Sequence, residues 1–211
     1  MTTLIETVRI REGRAPLWTR HLARLEQSCR ELGMAIPAIP EPIGGEDRVV
    51  RFEVGEGSHA PRISERPVGD THAVKLIIGG EPHPFYVHKT TDREPFELAL
   101  AEARGQGADD ALLLTGEGWV AEACIWTLFW WEGERLVTPP LGLGILPGVG
   151  RGRIMEIGAG FEQRRVVPAD LAGRSLFVAN AVRGVVPVAR LDGKRVPESQ
   201  LTAEVAGGFW P

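Results

Sequence analysis

The chain has 211 residues and a formal net charge of −4, with 43% hydrophobic and 25% charged residues, a composition typical of a globular protein of one large or two small domains. No run of basic residues supports nucleic-acid binding. There is neither an apolar stretch of about 18–20 residues nor a basic start followed by an apolar core, so we expect no membrane span, no signal peptide and a cytoplasmic location.

The first 80 residues show an α+β pattern. Residues 19–33 (TRHLARLEQSCRELG) form an amphipathic helix pattern, with Thr19 as the predicted N-cap and Gly33 as the stop. Residues 55–70 predict a mobile loop or a hairpin. Strand patterns lie at 4–10, 48–54 and 72–78.

Residues 79–84 (GGEPHP) contain two glycines and two prolines, which predicts a linker. We therefore expect a smaller N-terminal α+β domain over residues 1–82 and a larger, strand-rich C-terminal domain over 83–211.

No βαβ periodicity in the second half demands a Rossmann sheet. Helices are predicted from about Pro95 to Arg104 and from near Val149 to about Phe161, and an Asp-Gly pair marks the turn of a last hairpin. Strand patterns lie at 85–87, 109–115, 119–133 (two strands), 134–140, 162–167 and 175–181.

Cysteines and histidines give no metal signature. Cys29 and Cys124 lie far apart in apolar segments, which favours buried, reduced thiols, and the five histidines lack HExxH or comparable spacing. We predict no metal site.

Lys89 follows the apolar residues Phe85, Tyr86 and Val87. A lysine amine is a good nucleophile only when neutral, and desolvation lowers its pKa. Lys89 is therefore either a solvated lysine at a strand end or an amine held at the mouth of a pocket for chemistry.

Three further features suit a phosphorylated, nitrogen-containing ligand. Glu122 is a carboxylate in an apolar strand pattern, where it is either on a solvent face or buried with a partner. Glycines in residues 144–158 (GILPGVGRGRIMEIG) lead into a helix N-terminus, which is an anion site or simply a tight loop. Arg24, three residues after His21 on one helix face, is a phosphate ligand or an exposed arginine. Together with Lys89, these features match what pyridoxal 5′-phosphate (PLP) requires.

The same residues, in this order, resemble the class IV aminotransferases, the fold-type IV PLP enzymes. Residues 4–10 (LIETVRI) resemble the family's Phe-Glu-Thr-x-Arg strand, and residues 21–33 resemble its His-x-x-Arg-Leu helix, whose arginine, here Arg24, binds phosphate. Residues 88–93 (HKTTDR) are similar to the segment with the Schiff-base lysine, here Lys89. Residues 109–151 resemble the family signature, in which Glu122, 33 residues after Lys89, would bind the pyridine nitrogen. The backbone at Val149 and Gly150 would face the phosphate.

This resemblance implies a two-domain α+β fold of the D-amino-acid aminotransferase-like, fold-type IV architecture, shortened at its N-terminus. It also implies a homodimer, with the cofactor in the cleft between domains.

Residues 88–93 and 180–184 (NAVRG) are most similar to 4-amino-4-deoxychorismate lyases, especially the form fused behind a chorismate-aminating synthase component, which is a further candidate partner. We therefore expect a lyase that forms 4-aminobenzoate and pyruvate in the folate pathway, with Arg9 and Arg183 as candidate contacts for the carboxylates of a small amino substrate. The alternatives are a branched-chain or D-amino-acid transaminase and a degenerate binding protein without turnover.

Three departures from the family pattern favour the degenerate alternative, as does the short start. Thr127 stands where the signature has asparagine, Gly150 where it has threonine, and Phe96 where a tyrosine is common. The only tyrosine is Tyr86, so we expect no phenol bonded to the cofactor's 3′-oxygen.

Overall fold

The computed structural model describes residues 2–58, 60–158 and 160–211. The chain forms two compact units. The first comprises Met1–Asp70, His88–Asp92 and Pro211, and the second comprises Thr71–Val87 and Arg93–Trp210. This division differs from the boundary predicted at residues 82 and 83, because the strand that precedes that boundary pairs within the second unit.

The first unit is one helix and a three-stranded antiparallel sheet in the order β1-β2-β3. Leu25 and Cys29 of the helix pack with Leu4 and Val54 of the sheet and form one hydrophobic cluster of the core. The elements are β1 (Thr3–Ile10), α1 (Trp18–Glu31), β2 (Arg48–Gly55) and β3 (Arg62–Arg66).

The second unit is built on a mixed sheet in the order β6-β5-β4-β11-β10-β7-β8-β9, with β12 paired to β11. Helix α2 connects β4 and β5, which are parallel neighbours. Its strands are β4 (Val74–Pro82), β5 (Asp110–Leu114), β6 (Val120–Ala123), β7 (Thr127–Glu132), β8 (Arg135–Thr138), β9 (Phe161–Gln163), β10 (Leu176–Asn180), β11 (Gly184–Leu191) and β12 (Lys194–Arg195). Its α-helices are α2 (Glu94–Gly105), α3 (Val149–Ile157) and α4 (Gln200–Gly208).

Most of the predicted elements are confirmed. Strand β3 pairs antiparallel with β2, so residues 55–70 contain the hairpin and not simply a loop. In the last hairpin, Asp192 and Gly193 have φ angles of 46° and 71°, as the two central residues of a type I′ turn require.

The predicted linker at 79–84 is wrong over most of its length. Strand β4 continues through Gly79 to Pro82, and Pro82 pairs with Leu114 after an irregularity in register. The next predicted strand, at 85–87, is also wrong, because these residues form no regular structure and Phe85 is 79% exposed.

Two helix predictions need correction, and one helix was not predicted. The N-cap of α1 is Leu17, and Thr19 lies inside the helix, while Gly33 does adopt a positive φ of 65° just after it. Helix α3 starts at Val149 as predicted but ends at Ile157, because Phe161 belongs to β9. Helix α4 has no counterpart among the predicted elements.

Candidate active site

In the first unit, Lys89 is held by its backbone against β1. The Lys89 carbonyl accepts a hydrogen bond of 2.7 Å from the Ile5 amide, and the Thr91 amide donates one of 2.9 Å to the Thr3 carbonyl. Thr90 forms an isolated antiparallel bridge with Leu4. The lysine is therefore fixed beside the middle of a buried strand, and its side chain is only partly exposed.

Next to this segment, Glu6 of β1 and two residues of α1 form a buried charged cluster. Arg24 donates to both Glu6 oxygens, from Nε to Oε1 at 2.8 Å and from Nη2 to Oε2 at 2.6 Å. His21 Nδ1 lies 2.6 Å from Glu6 Oε2. Only 4% of the Glu6 side chain, 1% of His21 and 10% of Arg24 is exposed. A bidentate pair of this kind fixes the plane of the guanidinium.

The cluster also sets the protonation states of its members. Burial alone would raise the pKa of Glu6, but the charge of Arg24 and the contact with His21 hold it at about 2. Burial lowers the pKa of His21, against the effect of Glu6, and the charge of Lys89 lowers it further. At neutral pH we therefore describe Glu6 as ionised and His21 as a neutral imidazole.

Two of the three guanidinium nitrogens of Arg24, Nε and Nη2, are thus already bonded to Glu6. Its Nη1 group takes no part in the two bonds with Glu6, so this nitrogen is the part of Arg24 suited to an anion.

Arg9, also on β1, has one acidic partner. Its Nη2 donates to Asp47 Oδ2 at 2.6 Å. Its Nε and Nη1 are buried and have no hydrogen-bond partner among residues 2–58, 60–158 and 160–211. Buried donors without partners are rare and costly, so Arg9 is a candidate site for an additional acceptor such as a substrate carboxylate.

In the second unit, Glu122 of β6 is buried with partners, which decides between the two readings of this residue. His83 Nε2 lies 3.0 Å from Glu122 Oε1, and the Leu146 amide donates to the same oxygen at 3.0 Å. The exposed fractions are 1% for the His83 side chain and 7% for that of Glu122. Arg151, which is also buried, interacts electrostatically with Glu122.

Two polar residues hold the turn that follows β6. Asp110 is fully buried and accepts hydrogen bonds from the Ala111, Cys124 and Ile125 amides. Burial raises the Asp110 pKa to about 6 despite these bonds. Arg93 Nη2 donates to the Cys124 carbonyl at 2.6 Å. The end of the strand that carries Glu122 is therefore anchored by the buried Asp110 and the partly buried Arg93.

Glu122 is also linked to the glycine-rich loop, because Leu146 lies three residues before Val149, the first residue of α3. The helix is preceded by Gly148, has no side-chain cap and no acidic residue in its first turn. Such a helix N-terminus offers amide donors and a positive dipole end to an anion.

Gly150 is a glycine for a steric reason. A Cβ atom at this position would lie 2.9 Å from the Cα and 2.8 Å from the carbonyl carbon of Asn180. The threonine of the family pattern would therefore clash with this backbone, so its absence matches the local packing.

Two other departures are also explained by packing. Phe96 is 1% exposed and packs edge-on against Tyr86, with ring centroids 4.8 Å apart, so the sole tyrosine lies beside the position where the family often has one. Thr127 is buried, and its hydroxyl would lie 3.1 Å from a Cβ atom on Gly148, so it fills space at the start of α3.

Arg183 lies over the Trp126 ring at 5.7 Å, which gives it a structural contact.

The sequence-predicted residues thus fall into two groups. Arg9, Arg24 and Lys89 share the first unit, whereas the second carries Glu122, Val149, Gly150 and Arg183. Sequence reasoning missed Glu6, whose signal was a carboxylate on the buried face of β1, and His83, which had no such signal. In the described parts of the chain we find no cluster of three or more metal-ligating side chains and no helix long and apolar enough to cross a membrane.

Comparison with known proteins identifies the family. The model of the amino-transferase class IV family matches residues 59–191, and the chain belongs to this family. An aminodeoxychorismate lyase from Bacillus subtilis is 33% identical over 90% of this chain and 77% of its own length. A bifunctional aminodeoxychorismate lyase / D-amino acid transaminase from Mycobacterium tuberculosis is 26% identical over 96% of this chain and 86% of its own.

The fold-type IV prediction is confirmed by solved structures. The PLP-bound form of a hypothetical aminotransferase from Mycobacterium tuberculosis superposes with a TM-score of 0.85, at 24% identity, over 99% of this chain and 88% of that one. The family match and the named relatives show that the chain is an enzyme of the class IV aminotransferase family.

Proposed function

We propose that the protein is a PLP-dependent 4-amino-4-deoxychorismate lyase. The observation that carries PLP binding is the buried Glu122 carboxylate, bonded to the loop that opens the uncapped N-terminus of α3. This joins an acceptor for a ring nitrogen to an anion site within one unit. The choice of the lyase rests on the similarity to the named relatives.

The residues present fit the parts of PLP. Lys89 would hold its aldehyde carbon covalently through Nζ, and Arg24 Nη1 and the amides of Val149 and Gly150 would bind its phosphate. Glu122 would accept a hydrogen bond from its protonated ring nitrogen and so keep that nitrogen protonated. When bound, PLP supplies an electron-withdrawing ring that takes up the electron pair of a broken substrate bond.

In the reaction, Lys89 Nζ, once free of the cofactor, would take the proton from the ring carbon that bears the substrate's amino group, as the bond between the ring and the enolpyruvyl oxygen breaks. The ring becomes aromatic, and the departing enolpyruvate takes up a proton and becomes pyruvate. The products are 4-aminobenzoate and pyruvate. Arg9 and Arg183 are the proposed contacts for the two substrate carboxylates, and Arg9 is favoured by its unpartnered buried donors.

The chain offers a sharp test of Lys89, because it contains only three lysines. Purified protein is mixed with PLP, reduced with borohydride and mapped by peptide mass spectrometry. We expect the label on Lys89, whereas Lys75 and Lys194, both exposed, stay unlabelled at stoichiometric PLP. A Lys89→Ala variant should lose both label and turnover, and a Lys75→Ala variant should keep both.

A second assay separates the alternatives. With 4-amino-4-deoxychorismate, the lyase releases 4-aminobenzoate and pyruvate in equal amounts. Robust transfer of an amino group from D-alanine or a branched-chain amino acid to a 2-oxo acid, without 4-aminobenzoate, would favour a transaminase. A label spread over all three lysines, with no turnover, would favour a degenerate binding protein.

We also propose a cytoplasmic location, in keeping with the free thiols of Cys29 and Cys124. A homodimer is proposed from the family resemblance. Analytical ultracentrifugation of the PLP-loaded protein tests the dimer, and co-purification tests association with a chorismate-aminating synthase.

A further inference from the structure

His83 is a buried histidine to which the sequence assigned no role. Its ring lies edge-on to Phe96, with centroids 5.6 Å apart, and only 1% of its side chain is exposed. Its Nε2 atom lies 3.0 Å from Glu122 Oε1. Because an ionised carboxylate only accepts, Nε2 must carry the proton in this contact.

Both described hydrogen bonds to Glu122 end on the same oxygen. His83 Nε2 and the Leu146 amide each donate to Oε1, and neither uses Oε2. Together the two hydrogen bonds fix the carboxylate plane, since rotation about the last side-chain bond of Glu122 would move Oε1 and break both. The other oxygen, Oε2, is therefore the one suited to accept a hydrogen bond from a further donor.

We propose that His83 is a positioning residue that holds Glu122 in place to accept the protonated ring nitrogen of PLP through Oε2. This inference rests on the proposed PLP-dependent function and deepens it. His83 acts through Glu122 and touches neither the substrate nor the reacting atoms.

A positioning role differs from a packing role in what a substitution must preserve. His83→Phe keeps a ring beside Phe96 and removes the donor. His83→Gln loses the ring but places an amide nitrogen near the position of Nε2. His83→Asn carries a nitrogen only as far out as Nδ1, so it is the matched control for Gln. Removing a hydrogen bond to a charged group typically costs tenfold to a hundredfold in a binding constant.

The test measures PLP affinity of the apo-protein by quenching of tryptophan fluorescence, without any turnover. We expect His83→Phe and His83→Asn to bind PLP roughly tenfold more weakly than the wild type, and His83→Gln within about threefold of it. The same titrations use 1-deaza-PLP, which has carbon in place of the ring nitrogen. All four proteins should bind this analogue equally, because it has no ring N–H to donate a hydrogen bond to Glu122.

The outcomes separate the two proposals. Unchanged PLP affinity in His83→Phe, or equal losses for PLP and its deaza analogue, would show a packing role and overturn the inference, while a label on Lys89 would leave the proposed function standing. No PLP binding by the wild type would overturn both. In a Glu122→Gln background, we expect His83→Phe to cause no further loss.

Discussion

At the residue scale, Gly150 shows how a departure from a family pattern can follow from packing. Its missing side chain is replaced by the Asn180 backbone, whose Cα lies 2.9 Å from where a Cβ atom would be. This close approach packs β10 against the start of α3. Gly150 lacks the threonine hydroxyl but still has the backbone N–H proposed to bind phosphate. The substitution that restores the family residue should therefore harm this protein.

We expect Gly150→Ala to lower the free energy of unfolding by about 1–3 kcal/mol, because backbone must shift to admit the methyl group. Gly150→Thr should cost more and should also weaken PLP binding. Chemical denaturation and PLP titration measure the two effects. Gly105, at the end of α2, is the matched control, since nothing lies within 4 Å of a Cβ atom there and Gly105→Ala should be neutral or stabilising.

Arg9 is a residue at which an effect on substrate binding can be separated from an effect on PLP binding. Its Nε and Nη1 are the buried donors that a substrate carboxylate would satisfy. We expect Arg9→Gln to raise KM for the lyase substrate at least tenfold and to leave PLP affinity within about twofold. Equal losses in PLP affinity and KM would instead assign Arg9 to the structure of β1, where it pairs with Asp47.

At the scale of elements, the cluster of Glu6, His21 and Arg24 joins β1 to α1 by charge as well as by apolar packing. The Glu6 pKa of about 2, against an ordinary 4.5, corresponds to about 3 kcal/mol. Because the folded-state pKa is lowered, this contribution is complete above pH 4.5 and is lost as the pH falls towards 2. The lowered His21 pKa acts in the same direction below pH 6.5, since folding then opposes protonation of the imidazole.

Glu6→Gln should therefore destabilise the protein by about 3 kcal/mol at pH 7, and the difference from the wild type should shrink between pH 4.5 and 3. Urea unfolding at several pH values measures it. Glu26→Gln on the same helix is the control. Glu26 pairs with Arg30, and 41% and 64% of the two side chains are exposed, so the change should stay within about 0.5 kcal/mol. A pH-independent difference would contradict the charged cluster.

Local sequence was sufficient where one rule dominated. Alternation identified β1 and β2, the apolar stripe identified α1, and Asp192-Gly193 identified the last turn. It failed at Gly79–Pro82, where glycine and proline indicate a break but β4 continues beside β5 and Pro82 pairs with Leu114. It also failed at α4, whose pattern was too weak to indicate a helix beforehand.

The residues of the candidate site likewise divide into those that the local sequence identified and those that it missed. Lys89, Arg24 and Glu122 were identified by residue type and order, and Glu6 could have been found as a polar residue on the buried face of β1. The pairing of His83 with Glu122 joins residues 39 apart through the tertiary fold, so no local pattern contains it.

For the whole molecule, the proposed function makes a prediction about stability, because a ligand that binds only the folded state must stabilise it. At a free PLP concentration of 100 times Kd, the gain is about 2.7 kcal/mol, or roughly 5–10 °C in Tm for a chain of this size. We expect this shift in the wild type and in Lys75→Ala, and a much smaller one in Lys89→Ala. Pyridoxal, which lacks the phosphate, should stabilise the wild type less than PLP does, because Arg24 and the N-terminus of α3 would gain no anion. An equal shift in Tm with pyridoxal would contradict the proposed phosphate site. No shift with PLP at any concentration would contradict the proposal that this protein binds PLP.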